Sequence, residues 1–334
     1  MRSKPPNRTG GPGPQPPAQP VTQRGTRPPP RDRASGPRPS RPSDPKEKPR
    51  LGQPRPPRPE PVEAKAQPAP RAETLRAPVR PAAAPVPAVP RPSGPAAPRG
   101  SVWLHGLHPV QAALANPARR LKRLLLTEEA EAALSARLPQ PWPLQPERVE
   151  RAKLDHLLGR DTVHQGAGLL ADLLPPPVLS AVLERPGPVL VLDQVTDPRN
   201  IGAVLRSAAA FGVAGVITQD RNAPEETGVL AKAASGALEL VPLLRAVNLA
   251  RTLAALKAAG FWVVGLDAGA PPLRGVPLAE RRVVLVLGAE GSGMRRLTRD
   301  TCDELAGLAM PGVMESLNVS AAASVALYEL SRAA

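Results

Sequence analysis

Six short apolar runs in the last 150 or so residues limit what this chain can fold into. The runs do not alternate between apolar and polar residues, and amphipathic helical patterns separate most of them. Such runs are typical of parallel strands that helices cover on both faces. The pattern therefore predicts an α/β domain of common size. We expect strands at 189–192, 215–218, 238–243, 261–266, 283–287 and 307–310, and helices at 200–211, 225–235, 248–259, 295–305 and 319–330.

The first 100 residues form a different kind of polymer. They hold 30 of the 48 prolines and no aromatic residue, and they carry 20 Lys and Arg against 6 Asp and Glu. A segment with so few large apolar side chains cannot offset the chain entropy lost on folding, so we predict a disordered tail. The positive charge of the tail would allow it to bind RNA phosphates by counterion release. Because the tail has no aromatic side chains for base stacking, a solubilising extension is the alternative.

A small α/β domain is predicted between the tail and the large domain. Helical and strand patterns fill residues 101–175, and proline-rich stretches then mark a linker at 176–187, before the large domain at 188–334. Arg119, Arg120, Lys122 and Arg123 form a basic cluster, which is either a solvated surface run or a contact with RNA. His164 is interpreted as a hydrogen-bonded structural residue at a strand end, with substrate contact as the lesser alternative.

Several protein classes do not fit the composition. The sequence has no continuous apolar run of about 18 residues, so no transmembrane helix is predicted. The N-terminus has no apolar segment like that of a secretory signal. The single cysteine, Cys302, excludes a disulfide framework and is interpreted as a small core residue in a helix. Four scattered histidines do not predict a metal site. We expect a soluble, cytoplasmic protein that needs no metal and no membrane.

Three polar segments follow or end predicted strands of the large domain. They read DQVTDPRNIGAVLRS at 193–207, VLGAEGSGM at 286–294 and MPGVMESLNVS at 310–320. In open α/β sheets ligands bind beyond the carboxyl ends of the strands. Three such segments, far apart in the chain, therefore predict one composite site.

The residue types of these segments allow contacts with an adenine edge, a carboxylate or a phosphate, although the glycine-rich segment could also be an ordinary tight turn. The glycine-rich segment has neither the GxGxxG spacing of a dinucleotide site nor the Lys-Ser/Thr of a P-loop. Its glycines instead allow backbone N–H groups to approach a ligand closely. Asn200 and Arg206 lie near the start of one predicted helix, and the Arg206 guanidinium suits a phosphate. Ser316 and Asn318 precede an alanine-rich helix that permits close packing.

The three segments closely resemble the motifs of the SpoU/TrmH-type 2′-O-ribose methyltransferases of the SPOUT superfamily. Across 101–334 the chain is similar to the RlmB-type subgroup, which methylates a guanosine ribose in the peptidyl-transferase loop of large-subunit rRNA. Residue 289 is Ala, where many relatives outside this subgroup have Asn. The further segments that carry the resemblance are HGLHPVQA at 105–112, VHQG at 163–166, KAASGA at 232–237, NLART at 248–252 and GAEGSGMRRLTR at 288–299.

The resemblance implies a fold, a cofactor and partners. It implies an L30e-like domain at 101–175 that holds RNA, and a methyltransferase domain with a C-terminal trefoil knot that binds S-adenosyl-L-methionine. It also implies a homodimer with the active site near the interface. Gly288, Leu308 and Leu317 would contact the cofactor, mainly through their backbone. The implied catalytic-site residues are Asn200, Arg206, Glu290, Ser316 and Asn318.

Other functions remain compatible with parts of this pattern. A methyltransferase acting on transfer RNA would share the motifs, although the minimal tRNA enzyme lacks the domain at 101–175. A non-catalytic RNA-binding or ribosome-assembly module would keep the fold, but it would have no need of the five catalytic-site residues. An ordinary α/β domain would have to produce all three motifs by accident. Binding of S-adenosylmethionine would separate these classes.

Overall fold

The computed structural model describes residues 97–221 and 223–332, and these residues form two β-sheets with their helices. The disordered tail predicted at 1–100 lies outside the described residues except for its last four. Within the described residues, no helix is long and apolar enough to cross a membrane.

The first sheet is mixed and has four strands in the order β1-β4-β2-β3. Strand β4 runs antiparallel to both β1 and β2, whereas β3 pairs parallel to β2. The Thr127 hydroxyl caps helix α2 by accepting a hydrogen bond from the Ala130 N–H, and three glutamates follow it in the first turn. The elements are β1 (Ser101–His105), α1 (Leu107–Ala115), β2 (Leu121–Leu126), α2 (Glu128–Ser135), β3 (Pro146–Arg148), α3 (Arg151–Leu158) and β4 (Ala167–Asp172).

The second sheet has six strands, all parallel, in the order β10-β8-β9-β5-β6-β7. This arrangement confirms the predicted α/β fold with a parallel sheet. Its strands are β5 (Val189–Asp193), β6 (Gly215–Gln219), β7 (Leu243–Ala246), β8 (Phe261–Leu266), β9 (Arg282–Gly288) and β10 (Glu304–Ala306). Its helices are α4 (Leu179–Leu183), α5 (Pro198–Ala210), α6 (Gly228–Ala234), α7 (Leu249–Ala258), α8 (Arg296–Thr301) and α9 (Val319–Ser331), with 3₁₀ turns at Ala237–Glu239 and Val276–Leu278.

Helices cover both faces of the parallel sheet, as its unbroken apolar strands require. Alternate strand residues such as Leu190 and Leu192 face α5, α6 and α9, and their core continues into that of the first sheet. The residues between them, such as Val191, face α4 and α7 on the opposite side. The second sheet is therefore the middle layer of three.

Two of the predicted strands are wrong. The apolar run at 238–243 forms a 3₁₀ turn, Ala237–Glu239, and only afterwards strand β7. Leu238 gains its burial by packing in the main core, not by pairing within a sheet. The strand predicted at 307–310 lies earlier, at Glu304–Ala306, because α8 ends at Thr301 and the chain becomes extended at Cys302.

Arg119 lies buried at the contact between the two domains, so it is neither a solvated surface residue nor a contact with RNA. Its guanidinium contacts Glu226 at 2.6 Å and Glu239 at 2.5 Å, and its side chain is 0% exposed. Burial alone would lower the pKa of Arg119, but the two glutamates more than offset this and raise it. Lys122 and Arg123 pair with Asp172 and Glu147 on the first domain. Arg119 therefore joins the two domains, and the cluster is not one free basic surface.

Of the two residues interpreted as structural, His164 has the expected surroundings, whereas Cys302 lies in extended backbone just after α8 and not in a helix. His164 is fully buried, its Nε2 lies 2.9 Å from Asp155 Oδ1, and its Nδ1 accepts a hydrogen bond from the Gly166 N–H. Cys302 is half-buried beside the second core, where burial and the nearby Asp303 raise the pKa of its thiol to about 11.

Candidate active site

The first two polar segments leave the sheet side by side. Strand β5 ends at Asp193 and β9 ends at Gly288, and these two residues are partners in the register of the parallel pair. From β5 the chain continues outward to β6 and β7, and it then returns on the other side of β9. The order of strands thus reverses between β5 and β9. This switch point is where open α/β sheets form a ligand crevice.

Helices α5 and α9, each capped by a side chain at its N-terminus, pack beside each other next to the crevice. The Asp197 carboxylate accepts a hydrogen bond from the Arg199 N–H, and Pro198 fits the first turn of α5 because that position needs no N–H partner. Asn318 caps α9 by accepting from the Ser320 N–H at 2.9 Å. The hydroxyls of Ser207 and Ser324 lie 2.7 Å apart, so α5 and α9 pack closely.

Asn200, Glu290 and Asn318 form a hydrogen-bonded polar cluster at the mouth of this crevice. The Asn318 side-chain amide donates to Glu290 Oε1 at 2.7 Å and to Asn200 Oδ1 at 3.1 Å. The same Glu290 oxygen accepts from the Val319 N–H at 3.2 Å. Each member comes from a different polar segment, so the fold brings together three of the predicted catalytic-site residues.

The glycine-rich loop folds back on itself after β9. Ala289 and Gly293 form an isolated bridge, and Gly291 and Gly293 have positive φ angles of 80° and 63°. A Cβ atom added to Gly288 would lie 2.1 Å from the Gly293 carbonyl carbon and 2.3 Å from the Met294 nitrogen. A side chain at 288 would therefore collide with its own loop before it met a ligand.

Asp193 and Arg295 form an ion pair that the sequence reasoning missed. The Asp193 side chain is 0% exposed, and its two oxygens accept from the Arg295 backbone N–H at 2.9 Å and from Arg295 Nε at 2.8 Å. Both residues lie in or beside the motifs. The available signal was the acidic residue at the end of an apolar strand, because a carboxylate at such a position needs a partner when buried.

The other predicted site residues are not joined to the polar cluster. Arg206 is exposed, and it lies about 120° around the helix from Asn200 and about 9 Å farther along its axis. Its side chain forms no hydrogen bond or ion pair with any residue of 97–221 or 223–332. Ser316 and Leu317 are exposed in the loop before α9, whereas Leu308 is half-buried against the main core.

The loop from β10 to α9 has backbone groups available for a ligand. Among the described residues, nothing forms a hydrogen bond with residues 308–317 through either backbone or side chain. The loop starts at the edge strand and reaches α9 beside the polar cluster. Free N–H and C=O groups of this kind can donate to and accept from a polar ligand.

Comparison with known proteins identifies the group to which this site belongs. Residues 187–328 match the model of the SpoU rRNA methylase family, and residues 103–177 match that of the RNA 2′-O-ribose methyltransferase substrate-binding domain. A Pseudomonas putida protein named 23S rRNA (guanosine-2′-O-)-methyltransferase RlmB is 40% identical over 242 residues, which cover 69% of this chain and 95% of that protein. This chain belongs to the SpoU methylase family. It is an RNA 2′-O-ribose methyltransferase.

Further relatives support membership in the SpoU family. The Escherichia coli K12 protein of the same name is 38% identical, and the match covers 70% of this chain and 98% of that one. The solved structure of an AdoMet-bound rRNA methyltransferase from Sinorhizobium meliloti has a TM-score of 0.56 and 25% identity, covering 70% of this chain and 87% of that chain. The fold is thus that of SpoU methyltransferases.

Proposed function

We propose that this SpoU methylase transfers a methyl group from S-adenosylmethionine to the ribose 2′-hydroxyl of a guanosine in large-subunit rRNA. The expected nucleotide lies in the peptidyl-transferase loop. The observation that carries the proposal is the polar cluster of Asn200, Glu290 and Asn318 at the switch point of the sheet. The guanosine specificity is supported by the RlmB names of relatives that match over nearly their whole length.

The cofactor would lie along the loop between β10 and α9. Gly288, Leu308 and Leu317 would hold it, chiefly through backbone groups, because residues 308–317 have free donors and acceptors in the described structure. When bound, it supplies a methyl group activated on a sulfonium. We further propose that this part of the chain forms a trefoil knot. The path from the edge strand β10 across the sheet to α9, which packs against α5, supports this topology.

The residues of the polar cluster would orient the ribose and take part in removing the proton of its 2′-hydroxyl. Asn318 already donates to both Glu290 and Asn200, so the three side chains have a fixed mutual geometry before substrate arrives. Ser316, exposed two residues before Asn318, would add a hydroxyl when substrate binds. Positioning of this kind lowers reaction barriers by about 7–11 kcal/mol in well-oriented systems. Glu290 has a free carboxylate oxygen, since only Oε1 is engaged among the described residues.

Arg206 would act through its positive charge and not as a proton acceptor. An arginine guanidinium in a protein remains protonated, so it has no free lone pair to accept a proton. A guanidinium can instead bind the adjoining phosphate and stabilise the alkoxide that develops on the 2′-oxygen. In its own chain Arg206 does not join the polar cluster, so this role requires RNA or a second subunit to complete the site.

A homodimer would supply that second subunit. Helix α9 exposes two large apolar side chains, Val325 at 46% and Tyr328 at 56%, and the loop before it exposes Met314 at 69%. Exposed apolar groups close together mark interaction surfaces. The pairing of two subunits through α9 would place the active site near the interface.

The first domain and the tail would hold the RNA. We propose an L30e-like fold for residues 101–175, with 176–187 as the connection to the methyltransferase domain at 188–334. Support comes from the match to a substrate-binding model at 103–177 and from the mixed four-stranded sheet. The 20 basic residues of the tail would add contacts with phosphates.

Mapping of ribose methylation in a strain that lacks this protein tests the proposed nucleotide. One guanosine of the large-subunit rRNA should lose its 2′-O-methyl group, and the wild-type gene should restore it. Purified protein should also methylate rRNA extracted from that strain. Intact methylation throughout the large-subunit rRNA, with a changed tRNA instead, would refute the assigned substrate.

Matched variants test the assigned residues. Glu290→Gln and Asn318→Ala should lower kcat on extracted rRNA by at least about 100-fold, the scale of one positioned catalytic group. Glu304→Gln, a change on exposed edge strand β10, is the control. Arg206→Ala should be similarly impaired at saturating RNA, whereas Arg251→Ala on α7 should not. Activity within a few-fold of wild type would remove the residue concerned from the chemistry.

A further inference from the structure

A polar cavity of about 280 Å³ lies between the first two polar segments, on the β5–β6 side of the crevice. Of the cofactor residues proposed above, Leu308 and Leu317 lie in the loop between β10 and α9 and do not line it, whereas Gly288 ends β9 at the base of the glycine-rich loop that does. The side chains that give this cavity its chemistry are Gln194, Thr196, Gln219, Arg221, Ser292 and Arg295, and we name it the arginine pocket.

The Arg295 guanidinium is held in place from below. Asp193 binds its backbone N–H and its Nε, so one edge of the side chain is anchored by a fully buried carboxylate. Within the described residues, neither terminal nitrogen of Arg295 has a hydrogen-bond partner. A guanidinium so anchored presents its two terminal nitrogens as a preformed fork, the geometry that binds carboxylates and phosphates with two bonds.

The rest of the pocket also favours an anion. Arg221 lines it and is exposed, with no hydrogen bond or ion pair to any residue that the structure describes. Among its described lining residues the pocket has two guanidiniums and no carboxylate. Asp193 offsets part of the charge of Arg295, but both of its oxygens are occupied beneath that side chain, so the terminal nitrogens of Arg295 and the charge of Arg221 remain available to the pocket.

The backbone beside the pocket is held in an uncommon conformation. Gln194 has a φ of 64°, in the left-handed region that a non-glycine residue seldom adopts. Its side-chain amide donates to the Gly293 carbonyl at 3.2 Å, which ties the first polar segment to the glycine-rich loop. Non-glycine residues in this region cluster at ligand sites. Asn200 of the polar cluster follows Gln194 in the first turn of α5, and Glu290 precedes Gly293 in the glycine-rich loop.

We propose that the arginine pocket binds a backbone phosphate of the RNA strand next to the methylated nucleotide. This inference rests on the proposed function, because it takes RNA as the substrate of the neighbouring polar cluster. A phosphate fixed there fixes the register of the strand, so that one ribose and no other reaches the cluster. Arg295 and Arg221 would be the binding residues, and Asp193 would be a positioning residue that acts through Arg295.

The test compares neighbouring arginines in the full chain. Arg295→Ala and Arg221→Ala each remove one guanidinium from the pocket. Arg296→Ala removes the same charge from an adjacent side chain that is 89% exposed and that, among residues 97–221 and 223–332, pairs only with Asp300. Arg295→Ala leaves Asp193 buried without a partner, so the double variant with Asp193→Asn is made as well. Arg221→Ala breaks no hydrogen bond or ion pair in the described structure and carries the test if the others fail to fold.

Binding of unmodified large-subunit rRNA is measured against salt, and methylation against RNA concentration. Each pocket variant should raise KM about tenfold with kcat little changed, and should flatten the log–log salt slope by about 0.7, the value for one contact with a single-stranded phosphate. Arg296→Ala should match wild type in both. Calorimetry should give the same S-adenosylmethionine affinity for every variant.

Three results would overturn the proposal. An equal rise in KM and an equal change in salt slope for Arg296→Ala and the pocket variants would mean that only the net charge of the protein affects RNA binding. Unchanged KM and salt slope in Arg221→Ala and in the double variant would mean that no phosphate binds there. A pocket variant that changes the choice of base, tested with inosine in place of the target guanosine, while keeping its salt slope, would make the pocket a base site. If wild-type protein bound RNA but methylated none, the proposed function would fail while the salt-slope comparison still decided the pocket.

Discussion

Replacing Arg119 by alanine should destabilise the folded protein more than any other change to the basic cluster of the first domain. The side chain is 0% exposed, and it donates to Glu226, to Glu239 and to the Asp172 carbonyl at 2.8 Å. The variant would leave two carboxylates facing each other at the contact between the domains, of which Glu239 is only 3% exposed. Loss of one partner leaves the other charge buried and unpaired.

The magnitude follows from that burial. Removing one member of a buried ion pair costs about 3–5 kcal/mol. No discount for solvent applies at Arg119 and Glu239, although Glu226 is 14% exposed and is partly hydrated. At about 2–4 °C per kcal/mol for a protein of this size, Tm should fall by about 6–20 °C.

Urea and thermal unfolding of the full chain, followed by far-ultraviolet circular dichroism, give the measurement. The matched control is Arg120→Ala, which removes an equal charge from the exposed neighbouring residue and should change the free energy of unfolding by less than about 0.5 kcal/mol. Adding Glu239→Gln to the Arg119 variant should recover part of the loss, since it removes one stranded charge. Equal free energies of unfolding for the Arg119 and Arg120 variants would refute the reasoning.

Three further predictions concern single residues. Burial, helped by the charge of Lys232, lowers the pKa of His105 to about 4. The neutral imidazole therefore contributes its full stabilisation above the unfolded pKa of about 6.5, and the free energy of unfolding should fall by about 3 kcal/mol as the pH falls towards 4. Urea titrations of His105→Asn should not show this loss. Gly288→Ala should open the glycine-rich loop and abolish cofactor binding in calorimetry, whereas Gly312→Ala, where an added Cβ meets nothing within 4 Å, should not. The raised pKa of Cys302 should make native protein react with iodoacetamide at pH 8 far more slowly than unfolded protein, and equal rates would show an accessible thiolate.

Local sequence determined most of the secondary structure and the location of the candidate site. Apolar runs such as 189–192 and 283–287 became buried parallel strands, because no polar residue within them needs water. Asp197 and Asn318 cap their own helices through contacts two residues away. Parallel strands end at one edge of a sheet, so polar segments that follow them had to meet there.

Tertiary structure alone decided which side chains meet. Arg119 reaches Glu226 and Glu239 across more than 100 residues, and Asp193 holds Arg295 at a sequence separation of 102. Neither pairing leaves a periodic signal in the sequence, because each depends on how separate elements are placed in space. The apolar run at 238–243 misled for the same reason: it is buried by packing in the main core and not by strand pairing. The local sequence determines that an apolar segment is buried, but the residues against which it packs depend on the tertiary structure.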